Sequence, residues 1–270
     1  PVVAVALSST CLGLRTPLQA ALGVLKERHE RAVALCRKVQ MSCAELRDEE
    51  KLLWYSKCLT AADVATLAMI LLTNGLLRLQ RLYLGSNGFG DAGMQALCEG
   101  LGRGTAPSLL IFACETAQFG PAGAEALAAA LHRGAMPRLK RLYLNNNPLG
   151  SRGVAALTAP LRKLPALTKL CLNDCEIGDE GVSSLFANLG KDDFKAFETL
   201  YLRGNKIADA GMTTLVAAIN AGGLPRLRIS DSASPFVNNP ASDAAVQAVQ
   251  DALATVSLLH ALAYCKTRSQ

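Results

Sequence analysis

Aromatic residues are scarce: one Trp, five Tyr and seven Phe make up 5% of a 270-residue chain that is half apolar. A core must therefore be built from Leu, Ala and Val, and so uniform an aliphatic composition points first to an internal repeat. Long hydrophobic runs are also missing. The longest nearly apolar stretch, Ala61 to Leu72, is about 12 residues and contains Asp63, well short of the roughly 20 that cross a bilayer, which excludes a helical membrane span. Charge of one sign does not dominate either. Twenty-eight Lys and Arg oppose 22 Asp and Glu, a net +6 far below the density of a dedicated nucleic-acid binder.

Only three His are present, His29, His132 and His260. They fall on three separate expected helices, without a paired nucleophile or carboxylate pattern, so no catalytic residue is identified. No Asn is followed two residues later by Ser or Thr, and the nine Cys are odd in number. Both facts favour reduced cysteines in an intracellular compartment, the cytoplasm first and an organelle second. The chain opens Pro-Val-Val-Ala-Val, which reads as a processed or excised segment, a trimmed targeting peptide being left open.

What is present is a repeat. Leu79-x-x-Leu82-x-Leu84-x-x-Asn87-x-Phe89-Gly90 aligns with the segments from Leu109 to Gly120, Leu139 to Gly150, Leu167 to Gly178 and Phe197 to Ile207, at a spacing of 28 to 30. A weaker copy precedes them, with Leu52, Trp54 and Leu59 in phase, and a decaying one follows at Leu224, Leu227, Ile229 and Ser232. Within each unit the period switches from alternation (Leu82, Leu84) to helical spacing (Gly93, Leu97, Leu101), the mark of a short strand followed by a helix. The Asn after the strand can bond backbone through both carbonyl and amide, so stacked copies form a ladder in which Cys175 can substitute with its thiol.

This pattern, L-x-x-L-x-L-x-x-N/C-x-L with a helix and a period near 28, resembles the ribonuclease-inhibitor-like type of leucine-rich repeat over roughly Lys51 to Ser232. The resemblance implies an α/β solenoid, a horseshoe with parallel inner strands, outer helices and helical caps at both ends. Strands stack about 4.8 Å apart while helices need about 10 Å, which bends such a stack with the sheet inside. The expected organisation is an N-terminal helical cap over 1–50, repeats over 51–232, and a loop with a C-terminal helical cap over 233–270. Ribonuclease inhibitor itself engages basic nucleases. A basic inner face would repel them, which argues against that activity here.

Strand alternation names three solvent columns on the concave face. The first is Lys51, Arg81, Ile111, Arg141, Lys169, Thr199, Arg226; the second Leu53, Tyr83, Ala113, Tyr143, Cys171, Tyr201, Arg228; the third Tyr55, Gly85, Glu115, Asn145, Asn173, Arg203, Ser230. They carry seven basic residues and one acid, matching the +6 of the whole chain. Four of the five Tyr lie there too. Tyr and Arg are the side chains most enriched at binding hot spots. The expected function is thus a non-enzymatic protein–protein interaction module that binds an acidic protein or peptide. Its contact residues would be Tyr55, Arg81, Tyr83, Arg141, Tyr143, Asn145, Lys169, Asn173, Tyr201, Arg203, Arg226 and Arg228. The competing explanation is that Tyr and Arg stabilise neighbouring strands by stacking.

A nucleic-acid partner is disfavoured, because the helices are near neutral. Ran GTPase-activating proteins look like this repeat type, so regulation of a small GTPase through the edge loops Ser86-Asn87, Asn146-Asn147, Asp174 and Gly204-Asn205 is the alternative, though no residue that would orient the attacking water is identified. A structural subunit or sensor domain of a larger assembly is a third reading.

Two chemical motifs dissolve into the repeat. Gly88-Phe-Gly90-Asp-Ala-Gly93 matches the dinucleotide fingerprint, but the same segment recurs as Pro148 to Gly153 and Glu176 to Gly181, so no cofactor is expected. Cys171-x-x-x-Cys175 lacks a second ligand pair for zinc, so no metal is expected; Cys171, facing the concave solvent, would be the reactive thiol. At the ends, Leu18, Leu22, Leu25, Val33, Leu35 and Val39 outline a capping helix begun at Pro17, with the basic run Lys26 to Arg31 on its solvated face. Ser230 to Pro240 reads as an inserted loop beside Arg226 and Arg228, where it could touch a ligand. Ser242 or Asp243 then caps a helix carrying Val246, Val249, Leu253, Val256 and Leu259.

Overall fold

The computed structural model describes residues 12–102, 104–228 and 236–268. The chain divides into two compact units, one ending at Leu46 and one starting at Arg47. The first contains α1 (Leu12–Val39) and most of α2 (Cys43–Asp48). Pro17 lies inside α1 rather than at its first turn. From residue 18 onward, burial in α1 is confined to its last turns, at Leu35, Cys36 and Val39, with Leu46 of α2, whereas Leu22 and Leu25 are 53% and 60% exposed. The expected apolar face therefore fails at Leu22 and Leu25: it extends only as far as the turn that folds α1 into α2. The basic run is solvated as expected, with Lys26–Glu30 and Glu27–Arg31 pairs each at 3.9 Å.

In the second unit six three-residue strands alternate with helices. The strands are β1 (Lys51–Leu53), β2 (Arg81–Tyr83), β3 (Ile111–Ala113), β4 (Arg141–Tyr143), β5 (Lys169–Cys171) and β6 (Thr199–Tyr201). Between and after them run α3 (Ala61–Asn74), α4 (Gly90–Gly100), α5 (Pro121–His132), α6 (Gly150–Arg162), α7 (Asp179–Phe186), α8 (Asp209–Asn220) and α9 (Asp243–Arg268). The sheet is open and all-parallel in chain order, and each helix from α3 packs on the next. Leu82, Leu84, Leu97 and their counterparts are buried between sheet and helices, which places the core where the repeat template put it. Glycine admits close packing at α4, where a Cβ on Gly100 would come within 2.5 Å of the Ala68 backbone.

Two sets of polar side chains tie one repeat to another. Facing backward, Asn147 accepts from Ala117 N and Phe119 N (3.0 and 3.4 Å) and donates to Cys114 O and Leu144 O (2.8 and 2.9 Å). Asn87 and Asn205 repeat this arrangement. The Cys175 thiol donates to Leu144 O and Asn173 O, while Ala117 leaves the rung empty. Facing forward, Asp91 at the start of α4 accepts from Gly120 N and Gly123 N at the start of α5, both 2.7 Å. Asp179 does the same for Ala208 N and Gly211 N, and Ser151 and Asp209 accept from Gly178 N and Ser242 N. These satisfy amides that a helix start leaves without partners.

The array continues past β6, but not where the sequence template put it. Ser230 and Ser232, with Ile229, lie outside the described residues. The seventh rung is Asn239, seven residues downstream of Ser232: it donates to Leu202 O and Phe236 O, both 2.9 Å, and accepts from Ile207 N at 3.1 Å. Phe236, 2% exposed, thus fills the core position of Leu202, and the insertion precedes the rung instead of following it. Ser242 then caps α9, accepting from Ala245 N at 3.3 Å; Val249 and Leu253 are buried, and α9 packs on α8.

Candidate functional site

Strand pairing aligns the candidate side chains into rows across the sheet. Lys51, Arg81, Ile111, Arg141, Lys169 and Thr199 are register partners in sequence, as are Leu53, Tyr83, Ala113, Tyr143, Cys171 and Tyr201. The third row follows from the backbone bonds beyond each strand: Ser86 N to Glu115 O, Thr116 N to Asn145 O, Asn146 N to Asn173 O, Asp174 N to Arg203 O and Gly204 N to Val237 O. Its seventh member is therefore Val237, 43% exposed, in the place assigned to Ser230. The insertion displaced the register, and Phe236-x-x-Asn239 was the signal that could have revealed it.

The rows differ in what their polar groups do. In the third row they bond to one another. Tyr55 reaches over Gly85, where a Cβ would sit 2.5 Å from its ring, and its hydroxyl donates to Glu115 Oε2 at 3.2 Å. The other oxygen of Glu115 accepts from Asn145 Nδ2 at 3.0 Å, Asn145 Oδ1 accepts from Asn173 N at 2.9 Å, and Asn173 Oδ1 accepts from Arg203 N at 2.9 Å. Burial, then the Glu115 charge, raises the Tyr55 pKa above the ordinary phenol value, so the hydroxyl stays a donor. Sequence reasoning had named Tyr55, Asn145 and Asn173 but missed Gly85 and Glu115, whose roles depend on contacts across two strands.

The middle row carries three half-buried rings, Tyr83, Tyr143 and Tyr201, and Tyr55 of the third row adds a fourth. Tyr55 and Tyr83 rings lie 5.3 Å apart, and Lys169 Nζ sits 4.7 Å from the Tyr201 centroid and 5.6 Å from that of Tyr143. Lys169 is thus engaged in cation–π contacts, as the stacking explanation anticipated. By register Cys171 lies between Tyr143 and Tyr201 and is 4% exposed. The expectation of a reactive thiol facing concave solvent is therefore overturned. Burial pushes its pKa up to about 12 despite Lys169, so thiolate is suppressed.

The first row keeps its guanidinium groups free, while its Lys169 is held against the Tyr rings. Arg81 and Arg141 are exposed and have no acidic partner among the described residues. Arg226 and Arg228, expected in the first and second rows, are exposed too but stand outside them: Leu227 N donates to Leu224 O as Phe197 N does to Phe194 O, and Arg228 N donates to Glu198 O as Glu198 N does to Thr168 O, which puts Arg228 level with Glu198, one residue before the strand. The row is interrupted at β3, where Ile111 is 8% exposed and Ala113 is fully buried, so the basic residues form flanking groups around an apolar strand. Of the seven edge-loop residues, Ser86, Asn146 and Asp174 are exposed and Gly204 is half-buried, while Asn87, Asn147 and Asn205 are buried in the ladder and cannot meet a partner. The glycine fingerprint is explained by packing, since a Cβ on Gly93 would lie 2.6 Å from Phe89 Cβ. No group of His, Cys, Asp or Glu among the described residues is arranged to hold a metal.

A family model described as leucine-rich repeat matches residues 79–98, 163–186 and 197–216. The fold is a leucine-rich-repeat solenoid. Among solved structures, the tropomodulin C-terminal domain of Caenorhabditis elegans is 12% identical with a TM-score of 0.39, the match covering 86% of this chain and 96% of that one. Leiomodin-1 actin-binding site 2 is 11% identical with a TM-score of 0.33, covering 89% and 95%. No curated protein matches the leucine-rich-repeat chain in sequence. No helix among the described residues is long and apolar enough to cross a membrane.

Proposed function

We propose that this leucine-rich-repeat array is a non-enzymatic binding module whose concave face holds an acidic protein or peptide along the first row, with the Tyr row as its apolar floor. The observation that carries this reading is an asymmetry within the face. The single acid, Glu115, is consumed by Tyr55 and Asn145, whereas Arg81 and Arg141 remain exposed and unpaired with acids. Free guanidinium groups beside half-buried rings offer bidentate hydrogen bonds and broad contact area at modest entropy cost. Lys169 supports the site by holding Tyr143 and Tyr201.

The test is affinity capture from native lysate with wild type and an Arg81→Glu, Arg141→Glu variant of matched circular dichroism and melting. Capture of an acidic protein by wild type alone, weakening with added salt, supports the reading. The same captured set for both chains sinks it.

A further inference from the structure

The turn between α1 and α2 brings two thiols into contact. Cys36 Sγ and Cys43 Sγ are 3.2 Å apart, the first buried and the second exposed. Two local motifs fix this approach. At the end of α1, Gln40 takes φ +62 and Met41 N donates to Cys36 O at 2.9 Å, the closing bond of a left-handed helix stop. At the start of α2, Ser42 and Glu45 bond reciprocally, Ser42 N to Glu45 Oε2 at 2.7 Å and Glu45 N to Ser42 Oγ at 3.1 Å. This capping box sets Cys43 as the first helical residue. Neither thiol belongs to the repeat, and neither is used by the concave face.

We propose that Cys36 and Cys43 are a dithiol oxidation site, converted to an intramolecular disulfide by a small disulfide oxidant of the glutathione class. Exposed Cys43, as thiolate, attacks one sulfur of glutathione disulfide; its S–S bond breaks, a mixed disulfide forms on Cys43, and the first glutathione leaves as thiolate and takes a proton. Cys36 then loses its proton and attacks the Cys43 sulfur, forming the Cys36–Cys43 bond and releasing the second glutathione. Two protein thiols are oxidised and one glutathione disulfide is reduced to two thiols. Burial and the neighbouring sulfur push the Cys36 pKa up to about 12. That assigns Cys36 the second, resolving step, in which contact offsets a small thiolate fraction. Cys58 provides an internal reference: it is exposed but has no thiol partner among the described residues, so it should stop at the mixed disulfide.

The experiment incubates the folded full chain in glutathione redox buffers of stepped composition, quenches with acid, and maps cysteine-containing peptides by mass. A Cys36–Cys43 cross-linked peptide lighter by two hydrogens is expected, together with glutathione on Cys58. Cys36→Ser should trap glutathione on Cys43, raising that adduct at least ~10-fold over wild type, and Cys43→Ser should abolish the cross-link. The same treatment in guanidinium is the comparison that needs no variant, and denaturation should lower the yield of this cross-link relative to others. The proposal is overturned if glutathione persists on Cys43 of wild type as it does in Cys36→Ser, or if the folded and denatured chains give the same distribution of cross-links.

Discussion

The buried ladder edge and the exposed concave face lie at opposite ends of the same few residues per repeat, and both are polar. In the ladder every polar atom is spent: Asn147 alone satisfies four backbone groups of its own and the preceding repeat. On the concave face the first row leaves its guanidinium groups unspent. One polar set holds the fold and the other is available to a partner, and burial rather than residue polarity separates them.

Substitutions should divide along that line. Asn147→Ala leaves two amides and the Cys114 carbonyl unpaired in the interior, Leu144 O keeping the Cys175 thiol, and a loss of about 3 kcal/mol in urea unfolding is expected; a loss below about 1 kcal/mol would show that water replaces the rung. Gly85→Val, which drives a side chain into the Tyr55 ring, should cost about 2 kcal/mol. Adding Tyr55→Ala should recover most of that cost, and strict additivity of the two would refute the contact. Tyr55→Phe removes the bond to Glu115 at a partly exposed site, a loss of about 1 kcal/mol at most. Because the folded pKa of Tyr55 is raised above its ordinary value of 10.0, its contribution is full below that pH and declines as pH rises through and above it. Melting of wild type and Tyr55→Phe should therefore converge on the alkaline side only. Smallest in stability is Arg81→Glu with Arg141→Glu, within about 0.5 kcal/mol each, yet this pair should be the most damaging to capture of an acidic partner.

The repeat, its strand–helix switch and its buried positions were legible because Leu82, Leu84, Asn87 and Leu97 recur in one phase and each answers a local demand. The concave rows were legible over β1 to β6 for the same reason, since pleat alternation is local, whereas Arg226 and Arg228 were misplaced because the template slips out of phase before its last copy. What escaped depended on distance or on insertion. Cys171 reads as solvent-facing from its own strand, yet it is buried at a position in register with Tyr143 and Tyr201 of the two adjacent strands. Gly85 is a gap until Tyr55 is seen to lie over it. Asn239 was hidden by extra residues before the rung, because a template of fixed spacing stops at Ser232. Leu22 and Leu25 share helical spacing with Leu35 and Val39, but periodicity does not say how far along a helix burial extends.

The backward and forward ties also grade the array from one end to the other. The junction of β1 with β2 has only Asn87, that of β2 with β3 only Asp91, and that of β3 with β4 only Asn147. From β4 onward each junction has both kinds, through Cys175 with Ser151, Asn205 with Asp179, and Asn239 with Asp209. In a chain whose cooperativity is the sum of nearest-neighbour couplings, this makes the C-terminal half the better nucleus and the N-terminal half the part that opens first. Amide exchange should accordingly reach the strands carrying Arg81 and Ile111 by openings smaller than global unfolding, while the rungs at Asn205 and Asn239 hold until the whole array comes apart.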